Sequence, residues 1–308
     1  MKTTVIYHSA DFDGLFCREI ARKFLPDAEL IGWDFGDKPL AVPPEGAIYI
    51  LDLPVDRVFG LDAAPSTKVR YSAMGIFEEQ FAKRIIWIDH HKSSIESHPD
   101  DIPGYRIDGV AACRLAWQWF KIGSGPDTTN LPDKPDYIDR KVIEPLAVRL
   151  AGEYDIRDDW REDWDTITSF QFGLRSRELS DIDWAIMLAH GQPTVEALLK
   201  NGHLLQRYQQ RNDASTMRRS FLLEFEGLKF LALNTARCNS LAFAAKDVPE
   251  TGHDALMGFC WDGKTWTVSL YHANHRKDLD LSLIASKHFG GGHRGACGFQ
   301  IAKFPFIL

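Results

Sequence analysis

Thiol pairs of the kind that build disulfide frameworks or zinc sites are missing from this sequence. Its five cysteines are odd in number, and no two of them form a C-x-x-C pair. They stand at Cys17, Cys113, Cys238, Cys260 and Cys297. A disulfide scaffold and a thiolate zinc centre are therefore not expected, and the pattern is typical of a reduced, cytoplasmic setting.

Long apolar runs and an excess of positive charge are missing as well. No uncharged run approaches the roughly 18 residues that a membrane span needs, and the apolar start Met1–Tyr7 is too short for a signal peptide. The net charge of −7 argues against a protein that coats long nucleic acid, because such binding needs a large basic surface. We expect a cytoplasmic protein that binds neither membranes nor long duplexes.

The sequence does contain the alternation of strand and helix signals that is typical of an α/β protein. Runs of apolar and β-branched residues predict strands at Thr3–Tyr7, Glu29–Trp33, Ile48–Leu51 and Ile85–Ile88. Apolar residues at helical spacing predict helices at Gly14–Leu25, Val110–Phe120 and Lys141–Gly152, with a long loop at Lys121–Tyr137. Continuous apolar runs fit strands that are buried on both faces of a mainly parallel sheet.

The C-terminal third predicts a second, smaller α/β domain. The polar, Leu-bearing segment Thr194–Phe225 predicts helices that link the two domains. After it, strands are predicted at Leu228–Leu233, Thr265–Tyr271 and Gly298–Ile301, with a helix at Leu281–His288. The predicted organisation is a catalytic domain at 1–193, a helical linker at 194–226 and a substrate-binding domain at 227–308.

Acidic residues and histidines follow three of the predicted strands, at the point where each strand ends. They are His8, Asp11 and Asp13 after the first strand, Asp52 after the third, and Asp89, His90 and His91 after the fourth. Ligands of open parallel sheets bind beyond the carboxyl ends of the strands, and carboxylates crowd together only where a cation neutralises them. Oxygen ligands with one or two imidazoles favour Mn²⁺ or Mg²⁺ over a structural zinc.

Each piece of this pattern also has a simpler interpretation. Asp11 could cap the helix that begins near Gly14, Asp52 could be a turn residue before Pro54, and a pair of histidines can lie on any surface. Their recurrence at three successive strand ends favours the metal site.

A glycine cluster near the C-terminus is the fourth piece. Gly290, Gly291 and Gly292 precede His293 and Arg294. Consecutive glycines let a backbone approach a ligand closely and present N–H groups to an anion, and the two side chains add charged donors. The alternative is a helix C-cap after the predicted helix, which explains one glycine but not three.

Five motifs, in this order, resemble those of the DHH phosphoesterase superfamily. They are YHSADFDG at Tyr7–Gly14, ILD at Ile50–Asp52, IDHHKS at Ile88–Ser93, GEYD at Gly152–Asp155, and FGGGHRGACGF at Phe289–Phe299. The resemblance is to the branch with a DHH-associated C-terminal domain, and within it to the nanoRNase/oligoribonuclease group.

The resemblance implies two divalent cations, preferably Mn²⁺ with Mg²⁺ as the alternative. One would be held by His8, Asp11 and Asp52, and the other by Asp13, Asp52, His90 and Asp155, so that Asp52 bridges. It implies catalytic roles for His91, which would face the substrate phosphate, and for Asp89, which would orient an imidazole. Gly291, Gly292, His293 and Arg294 would bind substrate. Asp158, Asp159 and Asp163 lie close to Asp155 and are alternatives to it.

By the same resemblance, the expected activity is hydrolysis of short single-stranded oligonucleotides to mononucleotides. The alternatives are a phosphodiesterase for cyclic mono-, di- or oligonucleotides, a 3′-phosphoadenosine 5′-phosphate phosphatase, and, in a different class, a non-catalytic nucleotide-binding module. A homodimer is compatible with the sequence. Many relatives carry a Ser-x-Arg run where this sequence has Ser269–His272, so His272, His275 or Arg276 is a candidate replacement for that arginine.

Overall fold

A computed structural model describes residues 2–60, 83–97, 102–122, 142–156, 163–189, 191–236, 242–243 and 252–303. The chain divides into two compact units, Met1–Leu205 and Gln206–Leu308. Within the described ranges, no helix is both long and apolar enough to cross a membrane. Most of the predicted loop Lys121–Tyr137 lies outside these ranges.

The first unit is built on a four-stranded sheet in which every neighbouring pair is parallel. Its strands are β1 (Thr4–His8), β2 (Glu29–Trp33), β3 (Ile48–Leu51) and β4 (Ile85–Ile88). The spatial order is β2-β1-β3-β4. Tyr7 pairs with Leu51, which pairs with Ile88. The residues that follow these three therefore emerge together at one edge of the sheet.

Helices cover both faces of this sheet. They are α1 (Phe12–Phe24), α2 (Val55–Val58), α3 (Lys92–Ser97), α4 (Ala112–Ile122), α5 (Leu146–Asp155), α6 (Trp164–Arg175) and α7 (Trp184–Leu188). Val5 and Leu51 pack into the core on one face, while Ile6 and Ile50 pack into the core on the other. Burying each such side chain contributes about 1.5–3 kcal/mol. This arrangement confirms the predicted parallel sheet, although α6 was not predicted.

A long helix, α8 (Gln192–Met217), contains the boundary between the units. The second unit has a six-stranded mixed sheet in the order β5-β6-β7-β8-β10-β9. Its elements are β5 (Phe221–Phe225), β6 (Leu228–Asn234), β7 (Ala255–Trp261), β8 (Trp266–His272), α9 (Ser282–Lys287), β9 (Gly291–His293) and β10 (Ala296–Ile301).

The prediction of a helical segment throughout Thr194–Phe225 is wrong at its end, because Phe221–Phe225 is the edge strand β5. Phe221, Leu223 and Phe225 alternate along the strand and all pack on the core of the second unit. Every second side chain of this segment is buried or partly buried, and its backbone pairs with β6, so the segment forms a strand although the sequence before it has a helical pattern. Strand β7 was not predicted either, since its sequence ALMGFCW has no β-branched residue.

Candidate metal centre

The first motif turns the chain sharply from β1 into α1. Asp11 is the N-cap of α1, and its Oδ1 accepts a hydrogen bond from the backbone N–H of Gly14 at 3.0 Å. Its other oxygen lies 3.1 Å from Nδ1 of His8. A Cβ at Gly14 would lie 1.9 Å from the carbonyl oxygen of His8, so only glycine fits there. Asp11 thus fills the capping role while its second oxygen faces His8.

Asp13 is held by the N-terminus of another helix. Its two carboxylate oxygens accept hydrogen bonds from the backbone N–H groups of Ala112 and Cys113, both at 2.8 Å. These N–H groups have no partner inside α4 and carry the positive end of its dipole. The buried carboxylate of Asp13 is therefore fixed in place, with its remaining lone pairs available to a cation.

Asp52 occupies a strained position directly after β3. Its φ of 61° lies in the left-handed region, which is unusual for a residue with a side chain. The backbone N–H of Asp52 donates to the carbonyl of Ile88 at 2.9 Å, which ties it to the neighbouring strand end. Strain of this kind persists where the surrounding structure imposes it, and it is concentrated at functional sites.

The two oxygens of Asp52 face different histidines. Oδ2 lies 3.3 Å from Nδ1 of His8, and Oδ1 lies 3.4 Å from Nε2 of His90. Within the described residues, Oδ1 is buried and makes no hydrogen bond of normal geometry, so that its contact with the ring of His90 is a long one. A buried carboxylate oxygen is costly unless a charged donor or a cation completes its environment.

His90 brings the last two carboxylates together. Its Nε2 lies 3.2 Å from Oδ2 of Asp155 and 3.7 Å from Oδ2 of Asp13. Asp155 is the last residue of α5. Of the three alternatives to it, Asp163 is the N-cap of α6, where it accepts from Thr166, while Asp158 and Asp159 lie outside the described residues.

Asp89 organises the histidine pair at the edge of the cluster, with a donor atom within 4.8 Å of those of Asp52 and His91. Its Oδ1 accepts the backbone N–H of His90 at 2.7 Å and that of His91 at 3.2 Å. It also lies 2.7 Å from Nδ1 of His91. When Nδ1 carries a proton, this contact directs Nε2 of His91 away from Asp89.

Buried carboxylates lie so close together in this cluster that their mutual repulsion and their burial favour the protonated, neutral form of some of them. Burial and the charges of Asp52 and Asp155 raise the pKa of Asp13 well above its usual range. Burial also raises the pKa of Asp155 to about 6, against the opposing effect of His90.

The pKa values of the neighbouring histidines are raised as well. Burial alone would lower the pKa of His8, but Asp11 and Asp52 raise it to about 11. Likewise, Asp89 outweighs burial and raises the pKa of His91 to about 9. The cluster therefore takes up protons, which a divalent cation would replace.

The donor atoms are of the kind and spacing that divalent cations require. Among the described residues of the first unit, three groups of three side chains have their donor atoms within 4.8 Å of one another: His8 with Asp11 and Asp52, Asp13 with His90 and Asp155, and Asp52 with Asp89 and His91. Two donors about 2.1 Å from one ion and about 90° apart lie about 3.0 Å from each other. The separations of 3.1 and 3.3 Å around His8 and of 3.2 Å between His90 and Asp155 are close to this value, whereas those of 3.4 and 3.7 Å from His90 to Asp52 and Asp13 are longer.

One member of the cluster was missed at the sequence level. Asp34 follows directly on β2, and its Oδ1 lies 3.2 Å from Nε2 of His8. The sequence could have indicated Asp34, because Glu29–Trp33 is predicted as a strand and Asp34 follows it directly, as acidic residues follow the other predicted strands.

In the second unit, the glycine cluster has a clear structural role. Helix α9 ends in a Schellman motif, in which the N–H of Phe289 bonds to Ser286 and that of Gly290 to Ala285. The left-handed residue of the motif is Phe289 (φ 61°), not a glycine. A Cβ at Gly290 would lie 2.0 Å from the carbonyl oxygen of Gly298, and Gly292 has φ 126°.

The predicted substrate residues then form an edge hairpin. Gly291, Gly292 and His293 are strand β9, paired with β10. The guanidinium of Arg294 donates to the backbone carbonyls of Leu279 and Asp278. The structure therefore uses Arg294 and two of the glycines to shape the hairpin, and their substrate contacts stay a prediction.

The three residues predicted to replace the arginine of the Ser-x-Arg run also have partners within the second unit. His272 contacts the carbonyl oxygen of Leu279 through Nε2 at 2.8 Å. His275 contacts that of His253, also at 2.8 Å. Arg276 pairs with Asp254 and Asp278.

Comparison with known proteins gives a likeness in fold. No family profile matches the chain, and no curated sequence matches it. Among solved structures, the DHH domain of a protein assigned to a family of ribosomal proteins matches with a TM-score of 0.51 at 12% identity, covering 96% of this chain and 82% of that one. The chain therefore has the fold of DHH-domain proteins.

Two further structures are more distant in shape. A pGpG-specific phosphodiesterase from Vibrio cholerae matches with a TM-score of 0.44 at 14% identity, covering 98% of this chain and 94% of that one. The exonuclease RecJ bound to manganese matches with a TM-score of 0.46 at 14% identity, covering 97% and 86%.

Proposed function

We propose that this protein is a phosphodiesterase that uses two divalent cations, preferably Mn²⁺, to hydrolyse short single-stranded oligonucleotides to mononucleotides. The observation that carries the proposal is the pair of donor groups joined by Asp52. One carboxylate faces both groups, its Oδ1 is buried without a hydrogen bond of normal geometry among the described residues, and its backbone is held in a strained conformation. The narrower assignment to a nanoRNase-like enzyme rests on the five sequence motifs.

The residues present fit the cations in number and in chemistry. His8, Asp11 and Asp52 would hold one, and Asp13, Asp52, His90 and Asp155 would hold the other. When bound, two such ions supply Lewis-acid activation of water and neutralise the charge that builds on the phosphoryl group.

The remaining roles belong to the protein itself. His91 adjoins the cluster but belongs to neither proposed ligand set, and its Nδ1 is bonded to Asp89. A charged imidazole of this kind would donate from Nε2 to a phosphoryl oxygen of the substrate. Asp89 holds His91 in that orientation and positions the backbone of both histidines.

The test is turnover with defined substrates. Purified protein would be stripped with chelator, reloaded with Mn²⁺ or Mg²⁺, and incubated with di- to decanucleotides, cyclic dinucleotides and 3′-phosphoadenosine 5′-phosphate. Products would be separated by chromatography. We expect mononucleotides from the shortest fragments, loss of activity in chelator, and better recovery with Mn²⁺.

A matched variant separates this protein's activity from a contaminant. Asp52→Asn keeps the size of the side chain and tolerates a positive φ, so it should fold and lack activity. Chelator-resistant turnover would contradict the proposal. Nucleotide binding without turnover of any substrate would instead identify a binding module, and preferred turnover of a cyclic nucleotide would change the substrate class.

A further inference from the structure

Asp34 contacts the far side of the ring of His8. Nδ1 of His8 faces Asp11 and Asp52, whereas its Nε2 lies 3.2 Å from Oδ1 of Asp34. The two ring nitrogens thus have different partners. In this arrangement, a proton on Nε2 would be donated to Asp34, and the lone pair of Nδ1 would point into the donor group.

Asp34 is held by its own turn. Its backbone N–H donates to Oδ2 of Asp37 at 2.9 Å, and its Oδ1 also accepts the N–H of Phe35 at 2.7 Å. The carbonyl of Asp34 accepts the N–H of Asp37 at 3.0 Å. These bonds hold Oδ1 of Asp34 in place independently of its contact with His8. The turn begins directly after the last residue of β2.

The ring of Phe35 completes the enclosure of His8. The two rings meet edge to face, with centroids 5.5 Å apart, and Phe35 also contacts Trp33 in an edge arrangement at 5.7 Å. The ends of β1 and β2 are joined here by a hydrogen bond from the N–H of Ser9 to the carbonyl oxygen of Trp33 at 3.1 Å. A rotation of the imidazole would break the contact with Asp34 and disturb this packing.

We propose that Asp34 is a positioning residue, which holds His8 so that Nδ1 is the ligand atom of the donor group formed with Asp11 and Asp52. The inference rests on the proposed function in assuming that this group and the group of Asp13, His90 and Asp155 each hold a divalent cation. A carboxylate behind a ligating imidazole fixes the tautomer and the ring orientation and makes the ligand more basic. Asp34 makes no contact with Asp13, His90 or Asp155 in the described structure, so its effect is confined to one of the two sites.

The experiment measures metal binding directly. Metal-free wild type, Asp34→Ala and Asp34→Asn would be titrated with Mn²⁺, and free Mn²⁺ would be counted by electron paramagnetic resonance. We expect two sites in the wild type. Asp34→Ala should weaken one of them by about 10- to 100-fold, the range for loss of such a partner, and leave the other unchanged. Asp34→Asn should weaken the same site less, since its amide oxygen can still accept from Nε2.

Two controls make the result specific. Asp27→Asn removes an exposed carboxylate just before the same strand, β2, and should change neither site. In a His8→Ala background, adding Asp34→Ala should cost no further affinity, because the two residues act through one ligand.

The outcomes separate this inference from the proposed function. Two Mn²⁺ sites that are the same in wild type and Asp34→Ala would overturn the positioning role alone, and so would equal weakening of both sites. A further loss in the His8→Ala background would make Asp34 a ligand in its own right and also overturn it. Absence of Mn²⁺ binding in the wild type would overturn the proposed function as well.

Discussion

Oδ1 of Asp52 lies 3.4 Å from Nε2 of His90, although the two residues follow different strands. The contact exists because β3 and β4 are parallel neighbours in register, so that Leu51 pairs with Ile88. His90 also contacts Asp155 and Asp13. Asp52 is thereby shared between two groups of ligand-type side chains, and this arrangement leads to the predictions below.

Removing the charge of Asp52 should disable both groups at once. We expect Asp52→Asn to bind less Mn²⁺ at both sites and to lose activity by about a thousandfold or more, which corresponds to roughly 4 kcal/mol of transition-state stabilisation. Metal content by mass spectrometry and turnover of a dinucleotide would be measured together. Loss of only one ion would show that Asp52 serves a single site.

The adjacent histidines should have different roles. His90→Ala should lower the bound metal, because its Nε2 lies among three carboxylates. His91→Ala should keep the metal but lower kcat, because its Nδ1 is bonded to Asp89 at 2.7 Å and lies farther, at 3.9 Å, from Asp52. Equal loss of metal in the two variants would reject this division.

Two nearby aspartates provide a matched pair. Asp155→Asn should reduce metal binding, since Asp155 contacts His90. Asp163→Ala should keep the metal but lower the free energy of unfolding by about 1 kcal/mol, because it removes the N-cap of α6. Metal content and denaturant unfolding would be measured for both, and the opposite pattern would make Asp163 the fourth-motif ligand.

The strained phenylalanine of the second unit predicts a stabilising change. Phe289 is fully exposed at 101% and has a φ of 61°, so Phe289→Gly removes strain without removing burial. We expect a gain of about 0.5–1 kcal/mol, which is the left-handed penalty less the greater chain entropy of glycine.

The neighbouring glycine should respond in the opposite way. Gly290→Ala should destabilise the protein by about 1–3 kcal/mol or more, because the added Cβ would overlap Gly298. Denaturant midpoints of the two variants would check the pair. A destabilised Phe289→Gly would mean that the ring has a structural partner.

His293 is predicted from the sequence resemblance to bind the substrate away from the reacting phosphate. Its loss in His293→Ala should lower kcat/KM on a dinucleotide by about ten- to a hundredfold, the value of a charge-assisted hydrogen bond of roughly 1.5–3 kcal/mol. A small chromogenic diester should be cleaved as before. If both substrates lose activity equally, His293 has a structural or catalytic role instead.

Much of the first unit could be predicted because its signals are local. Apolar runs located Glu29–Trp33, Ile48–Leu51 and Ile85–Ile88 with the bounds that the structure has. The second unit was harder. Phe221–Phe225 follows a helical pattern, and Ala255–Trp261 has no β-branched residue, so that pairing with neighbouring strands decided both.

The sequence by itself determined which residue types stand at the strand ends, and hence that a cation-binding group was to be expected among His8, Asp11, Asp13, Asp52, Asp89, His90 and His91. The resemblance also implied that Asp52 is shared, but only the tertiary structure decided which of its atoms faces which partner. The two faces of Asp52, the helix terminus that holds Asp13, and the contact of Asp34 with His8 all join residues that are distant in the chain. Such contacts depend on strand order and register, which local patterns do not encode.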